Sequence, residues 1–434
     1  MPRLGWPVRA RSSARNILRR SGDFFSGSPG GEIGRHAGLK ILFAANASIG
    51  SSPIRGTHLS DLFRSLFLFA GNHIRRLNFF LSIRTKEHKM LSTNVHYGDY
   101  LQLPSLLDLQ HLESSKHGER AHDEMLFIIT HQAYELWFKQ LLFELNSVCD
   151  IMEQPSINDN SPQLQTVVHR LQRMVTILKL LVQQIDVMET MTAMDFLDFR
   201  DRLRPASGFQ SFQFKILEGK LGLPFANRHG KEYYLSQLRQ QELDLVKKAE
   251  ETPTLLNLVN TWLERMPLFD NNNDWKQLLN AEGNYDHPFW NLYSQIYNES
   301  LQRGETQNSK IFESVFSVDD DKRNISAKAS RAALFIMLYR GYPLLHLPFQ
   351  LLQTLLEIDE QLSTWRYRHL NMVQRIIGSR VGTGGSSGKE YLAGAVSKHY
   401  IFSEFAQLTG FLIERRKLPD LPQAIRQRLG FTIV

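Results

Sequence analysis

Along most of this chain apolar residues recur at intervals of three and four, and clusters of turn-forming residues separate the runs. The stretch 122–152, HDEMLFIITHQAYELWFKQLLFELNSVCDIM, has apolar residues on most faces and contains neither Gly nor Pro. That pattern predicts a long, largely buried helix. QPSINDNSP at 154–162 breaks it with turn residues. Ser161 followed by Pro162 reads as an N-cap and a first helical position, opening a second long helix. Thr252–Pro253 repeats that start signal. Residues 220–325 are more polar and more broken, which predicts shorter helices beside the main bundle. A helix is expected from Ser326 to Arg340, with Gly341 as its C-cap and Pro343 beyond. Another is expected after Pro348, through FQLLQTLLEIDEQLSTWRYRHLNMVQRII to Gly378. At ~1.5 Å per residue it would exceed about 40 Å. No alternating strand pattern of useful length and no fixed-period repeat is present. The fold class is therefore all-α, a bundle of long helices with a smaller helical insert at about 225–325.

Charge divides the chain in two. Residues 1–89 hold 15 Lys and Arg against 4 Asp and Glu, whereas the remainder holds 36 against 40. The body is mildly acidic and presents no nucleic-acid-binding signature. The basic segment is rich in Arg, Ser and Gly. It reads either as a mitochondrial-type transit segment or as a disordered or spurious extension of residues 1–90 ahead of a working chain that starts near Met90. The second reading is preferred, because the segment is long for a leader and lacks a sustained amphipathic period. A protein starting at Met90 is then expected to keep its activity and assembly. No uninterrupted apolar run reaches the roughly 18 residues of a membrane span. The single cysteine, Cys149, excludes a disulfide framework and any multi-cysteine metal site, and suits a reducing, cytoplasmic setting.

Four segments carry candidate chemistry. His131 lies mid-helix with Phe127, Tyr134 and Phe138 beside it at i−4, i+3 and i+7. His369 shares a helix face with Leu362, Trp365, Met372, Val373 and Ile376. A neutral imidazole on such a face suits an axial haem ligand, and equally a hydrogen-bonded core histidine. Arg200, beside Phe199 and one turn after Phe196, is either a bidentate carboxylate clamp or a solvated arginine covering its neighbours with its stem. GTGGSSGKE at 382–390 fails as a phosphate loop, since Thr383 and Glu390 occupy positions where Gly and Ser or Thr are needed. It remains a closing loop that offers hydroxyl donors, or a plain linker. No hydrolytic or di-iron signature is present.

Taken together and in order, YGDYLQLPSLL (97–107), HDEMLFIITHQAYELWFKQLLFEL (122–145), DFLDFRDRLRPASGFQSFQFKILE (195–218) and WRYRHLNMVQRIIGSRVGTGGSSG (365–388) resemble the tryptophan 2,3-dioxygenase family. The resemblance spans about 95 to 425 and is weaker across 225–325. It implies an all-helical haem dioxygenase domain at 91–434, its long helices enclosing a haem pocket. The implied reaction cleaves the C2–C3 bond of the L-tryptophan indole with O2 to give N-formyl-L-kynurenine, the entry to the kynurenine pathway. The cofactor would be haem b, with Fe2+ in the active form.

The resemblance also implies residue roles. His369 would be the axial ligand of the haem iron, and Ser207 would lie near the haem and the distal pocket. His131 would bind the indole N–H as the catalytic histidine. Arg200 would pair with the substrate carboxylate and Thr383 with its ammonium and carboxylate. Phe127 and Phe196 would wall the indole. Tyr97 and Tyr100 would reach a neighbouring subunit's site within a homotetramer, a dimer of dimers, with no nucleic acid or membrane partner. Two competing readings are an indoleamine-type dioxygenase of broader substrate range and a catalytically inert haem-binding protein. Intact His131, Arg200 and Thr383 disfavour the second.

Overall fold

The computed structural model describes residues 94–430, apart from 156, 158–160, 225–227, 229–234, 271, 279–282, 284, 379, 381, 383–392, 395 and 397–398. The readings of residues 1–90 and of Thr383 lie outside the described residues. Those that are described form helices and connecting turns, with no strand among them. None of the helices is long and apolar enough to cross a membrane.

Three single-turn helices, Tyr97–Tyr100, Leu103–Leu106 and Glu113–Lys116, lead into α1 (Glu124–Met152). The buried Glu124 side chain fixes that approach by accepting from the backbone N–H groups of Glu113 and Ser114, at 2.8 and 3.0 Å. Then follow α2 (Pro162–Met188), α3 (Ala193–Arg200), α4 (Phe212–Leu221), α5 (Gln240–Glu250) and α6 (Leu255–Glu264). The order continues with α7 (Pro288–Ser300), α8 (Gln307–Phe316), α9 (Ala327–Leu338) and α10 (Pro343–Ile377).

The long helices α1, α2 and α10 form the trunk, with α2 packed against both of the others. Its inward positions Leu164, Val167, Val168, Leu171, Met174, Val175, Leu178 and Leu181 are buried at helical spacing. Polar bonds set the register. Tyr134 donates its hydroxyl to the Leu181 carbonyl at 3.0 Å, and Gln184 donates to the Thr130 carbonyl at 2.9 Å. α6, α7, α8 and α9 pack an aromatic-rich region around Trp275, Phe289, Trp290 and Phe335, which belongs to the same continuous core as the trunk.

Ser161 caps α2 as its sequence position suggested, accepting from the Leu164 N–H with Pro162 at the first helical position. Gly378, at φ 59°, ends α10 where a side chain would be strained. Four expectations need correction. α1 is not buried on most faces: Ile129, Leu136 and Phe143, spaced by seven, stay 49, 54 and 70% exposed. Thr252 does not open α6. Thr254 does, accepting from the Asn257 N–H, while Thr252 donates back to the Ala249 carbonyl and closes α5. α9 ends at Leu338, short of Arg340, with Tyr339 rather than Gly341 as its C-cap. α10 begins at Pro343, not after Pro348. Pro343 fills the first helical position, and Pro348 sits inside the helix near its start, where losing one backbone donor disturbs few bonds.

Candidate active site

The α1 face carrying Phe127 and His131, the α3–α4 segment and the C-terminal half of α10 surround a cavity of about 300 Å³. Its wall is largely apolar: Phe127 and Phe138 from α1, Phe196 from α3, Phe214 from α4, and Trp365 and Met372 from α10. The aromatic rings brace one another. Phe127 lies 5.7 Å from Phe196 and 5.5 Å from Phe199, which meet edge to face at 5.4 Å. Such offset and T-shaped contacts fix ring positions beyond what area burial alone would do.

Three imidazoles line this cavity, and two of them, His131 and His369, come from the long helices α1 and α10. His131 Nδ1 lies 2.7 Å from the carbonyl of Phe127, one turn earlier on α1. A carbonyl only accepts, so Nδ1 must carry the proton and Nε2 presents a lone pair to the cavity. Burial lowers the pKa of this ring, against the raising pull of the Phe127 carbonyl and Glu135, and so favours the neutral form. His369 enters from α10. Its ring stacks on Trp365 one turn earlier, with centroids 5.2 Å apart and planes 8° from parallel. Its Nδ1 is buried without a hydrogen-bond partner, which leaves Nε2 as the nitrogen open to the cavity. Burial, with a smaller contribution from His131, lowers its pKa to about 4. At neutral pH the ring is an unprotonated donor, the form a metal ligand needs.

Arg200 settles between its two sequence readings. It is 4% exposed and lines the cavity, so it does not spread over a solvated surface. The local fold explains why. Thr192 and Asp195 cap α3 reciprocally at 3.3 and 2.8 Å, so the helix turns Phe196 and Phe199 inward and carries Arg200 with them. After the cis Arg204–Pro205 peptide, Ser207 caps the turn 208–210 and also lines the cavity.

Six residues singled out in the sequence, Phe127, His131, Phe196, Arg200, Ser207 and His369, thus share one cavity. Gly382, next to Thr383, lines it too. Tyr97 and Tyr100 do not. They stand 71 and 75% exposed on the first short helix. Among the cavity residues passed over are four charged or titratable ones, Lys215, Glu218, Arg366 and His399. Lys215 and Glu218 look in the sequence like an ordinary i, i+3 surface pair, and only the fold buries them.

Fold and cavity define an all-helical enzyme class in which neutral imidazoles from separate helices flank an apolar chamber with a buried arginine in its wall. A family model described as Tryptophan 2,3-dioxygenase matches residues 82–412. The tryptophan 2,3-dioxygenase of Bdellovibrio bacteriovorus is 41% identical over 368 residues, covering 78% of this chain and 98% of its own. Those of Xenopus laevis and Mus musculus are 42 and 39% identical, covering 77 and 83% of this chain and 86 and 95% of their own. The chain belongs to the tryptophan 2,3-dioxygenase family.

Proposed function

We propose that this chain opens the indole ring of L-tryptophan with O2, giving N-formyl-L-kynurenine, inside the cavity between α1, α3–α4 and α10. The observation that carries the reading is the pair of neutral imidazoles facing one apolar chamber, one with a bare nitrogen and a buried, unpartnered far side. That donor set fits haem b: a neutral nitrogen on one wall, aromatic and aliphatic surface around it, and cationic groups at one end. His369 would hold the iron, and Ser207 lies in the wall beside the chamber. Haem with Fe2+ supplies the O2 chemistry when bound.

The chain's own residues then bind and orient. Arg200 offers a bidentate fork to the substrate carboxylate, in a site dry enough to strengthen that contact. Thr383 is assigned to the same end of the substrate. The His131 lone pair accepts the indole N–H, which fixes the ring's rotation without requiring a strong base. Phe127 and Phe196 wall the ring and exclude water. Holding reactants in register in this way can lower a barrier by several kcal/mol.

The same reading extends to assembly and setting. The catalytic domain is taken as residues 91–434, with its smaller helical insert, following the basic segment 1–90. Tyr97 and Tyr100, exposed beside Leu107 at 73%, suit a neighbouring subunit in a homotetramer. The single cysteine favours a cytoplasmic site of action.

The test is reconstitution of the full chain with hemin, anaerobic reduction, and addition of L-tryptophan and O2 while the product's near-ultraviolet absorbance is followed. Product is expected from L-tryptophan, with much slower turnover of D-tryptophan and tryptamine. Failure of the reconstituted protein to turn over L-tryptophan would overturn the reading.

A further inference from the structure

A second cavity, of about 310 Å³, is left unused by the reading above. It lies where the end of α6, the turn at 266–270, the start of α7 and the first turns of α9 meet. Its floor is apolar. Leu263 and Met266 are buried there, and the rings of Phe269 and Trp290 stand 5.5 Å apart with planes tilted by 47°. Much of its polar side comes from α9. Ser326 starts that helix by accepting the Ala329 N–H at 3.1 Å. Lys328, Arg331 and Ala332 then stand at i, i+3 and i+4, so they share the face that lines the cavity.

The polar groups of this wall differ in what they are committed to. Lys328 and Asp270 lie 3.8 Å apart, both exposed, and Asp286 is exposed as well. His287 spends Nδ1 on the Phe289 N–H, so its proton sits on Nε2, which is buried without a partner. Arg331 is half-buried. Its Nη1 donates to the Phe316 carbonyl at 2.8 Å and so serves the C-terminal end of α8. Asp286 and Asp319 act on the guanidinium through space, and neither forms an ion pair with it. Among the described residues nothing accepts from Nε or Nη2, and neither atom is sealed from solvent. Those two nitrogens share one edge of the planar group, the edge that meets both oxygens of a carboxylate. An arginine already held through Nη1 gives up little further freedom when that edge is used.

We propose that this cavity binds a small monocarboxylate with an aromatic body, its carboxylate on the Nε–Nη2 edge of Arg331 and its ring against Phe269 and Trp290. The site stands apart from the haem reading and does not rest on it. One negative charge is favoured over two, because Asp270 and Asp286 also line the cavity and oppose a second anionic group. An occupant bridges α9 to the 266–270 turn and the start of α7. It therefore stabilises the folded domain in proportion to its affinity.

The experiment titrates the full chain with phenylacetate, phenylacetamide and phenylmalonate by calorimetry, with thermal melting as a second readout. Arg200→Ala protein is titrated in parallel, because the other cavity also holds an arginine. Both proteins are expected to bind phenylacetate saturably. Phenylacetamide, which lacks the charge, should bind at least about tenfold more weakly, the scale of one charge-assisted contact. Phenylmalonate, with its second carboxylate, should also bind more weakly than phenylacetate. Arg331→Gln should weaken phenylacetate by about tenfold or more and leave phenylacetamide unchanged. Arg331→Lys keeps the charge but loses the edge, and should fall between. Equal affinity of wild type for phenylacetate and phenylacetamide, or no saturable binding, would overturn the proposal without any variant having to fold. Loss of phenylacetate binding in Arg200→Ala would do the same by assigning it to the other cavity. So would an Arg331→Gln protein that binds as wild type does.

Discussion

Two histidines in this molecule are held at the same low pKa in very different surroundings. His287 lies in the aromatic region formed by α6–α9, and His369 lines the cavity. Burial pushes both to about 4. His287 is tied to its own helix through one nitrogen, while its Nε2 is buried without a hydrogen-bond partner. Its Nδ1 accepts the Phe289 N–H at 3.2 Å as the cap of α7, and its ring stands edge-on to Phe269 and Trp275 at 5.1 and 5.0 Å. His369 is stacked on one face, unpartnered at Nδ1, and open at Nε2 to a chamber. A depressed imidazole pKa therefore reports burial in both cases. Each ring also keeps one buried nitrogen without a partner, so the difference lies in the other nitrogen, spent on a helix cap in His287 and open to the aromatic-walled cavity in His369.

This contrast can be broken in several ways, and the largest effect should come from the cavity. His369→Ala is expected to purify folded but to take up no hemin. A normal Soret band in that variant would remove the distinction. Next comes a cut in the filled region. Phe335→Ala, fully buried among Phe269, Phe289 and Tyr339, should cost about 3–5 kcal/mol of unfolding free energy with little change in KM. Denaturant titration and steady-state kinetics would check it. Arg200→Ala should leave stability closer to wild type yet raise KM for L-tryptophan roughly 10- to 100-fold, from loss of a charge-assisted pair worth about 1.5–3 kcal/mol. An unchanged KM would argue against the clamp.

His287→Ala should lose a cap worth about 1 kcal/mol and keep the Soret band, the mirror image of His369→Ala. The smallest effect is on pH dependence. With folded pKa values near 4 and unfolded values near 6.5, the unfolded chain binds more protons between those limits. Stability of the haem-free protein should then fall as pH drops from about 6.5 toward 4 and be flat in this contribution above 6.5. Thermal melts across that range, with and without His287→Ala, would divide the slope between the two rings.

Much of the trunk was legible because helical periodicity is local. The Ser161–Pro162 start and the Gly378 stop act over a few residues, and both were readable. Thr252 and Thr254 were not separable by residue type, since each is a competent cap. The choice fell to Asn257, three residues after Thr254, which completes a reciprocal pair. Pro348 looked like a boundary because a proline ordinarily interrupts a helix, yet five residues of helix already precede it. At the cavity, the aromatic setting of Arg200 hinted at its burial. Lys215 and Glu218 gave no such hint. Their partners Arg366 and His399 lie 148 and 181 residues from Glu218 along the chain, and no local pattern links groups that far apart. The exposed stripe of α1 was misjudged for a related reason: apolar residues on every face do not say which face has a neighbour.

The bond between His131 and its own helix has a consequence for what the chamber admits. With the Nδ1 proton committed to the Phe127 carbonyl, the imidazole meets any guest as a hydrogen-bond acceptor. A fused bicyclic guest bearing N–H satisfies it. A guest of the same outline with ring oxygen or sulfur in that position sets lone pair against lone pair and must bring a bridging water or bind poorly. A single backbone oxygen on α1 thus makes the pocket a reader of hydrogen-bond polarity as well as shape.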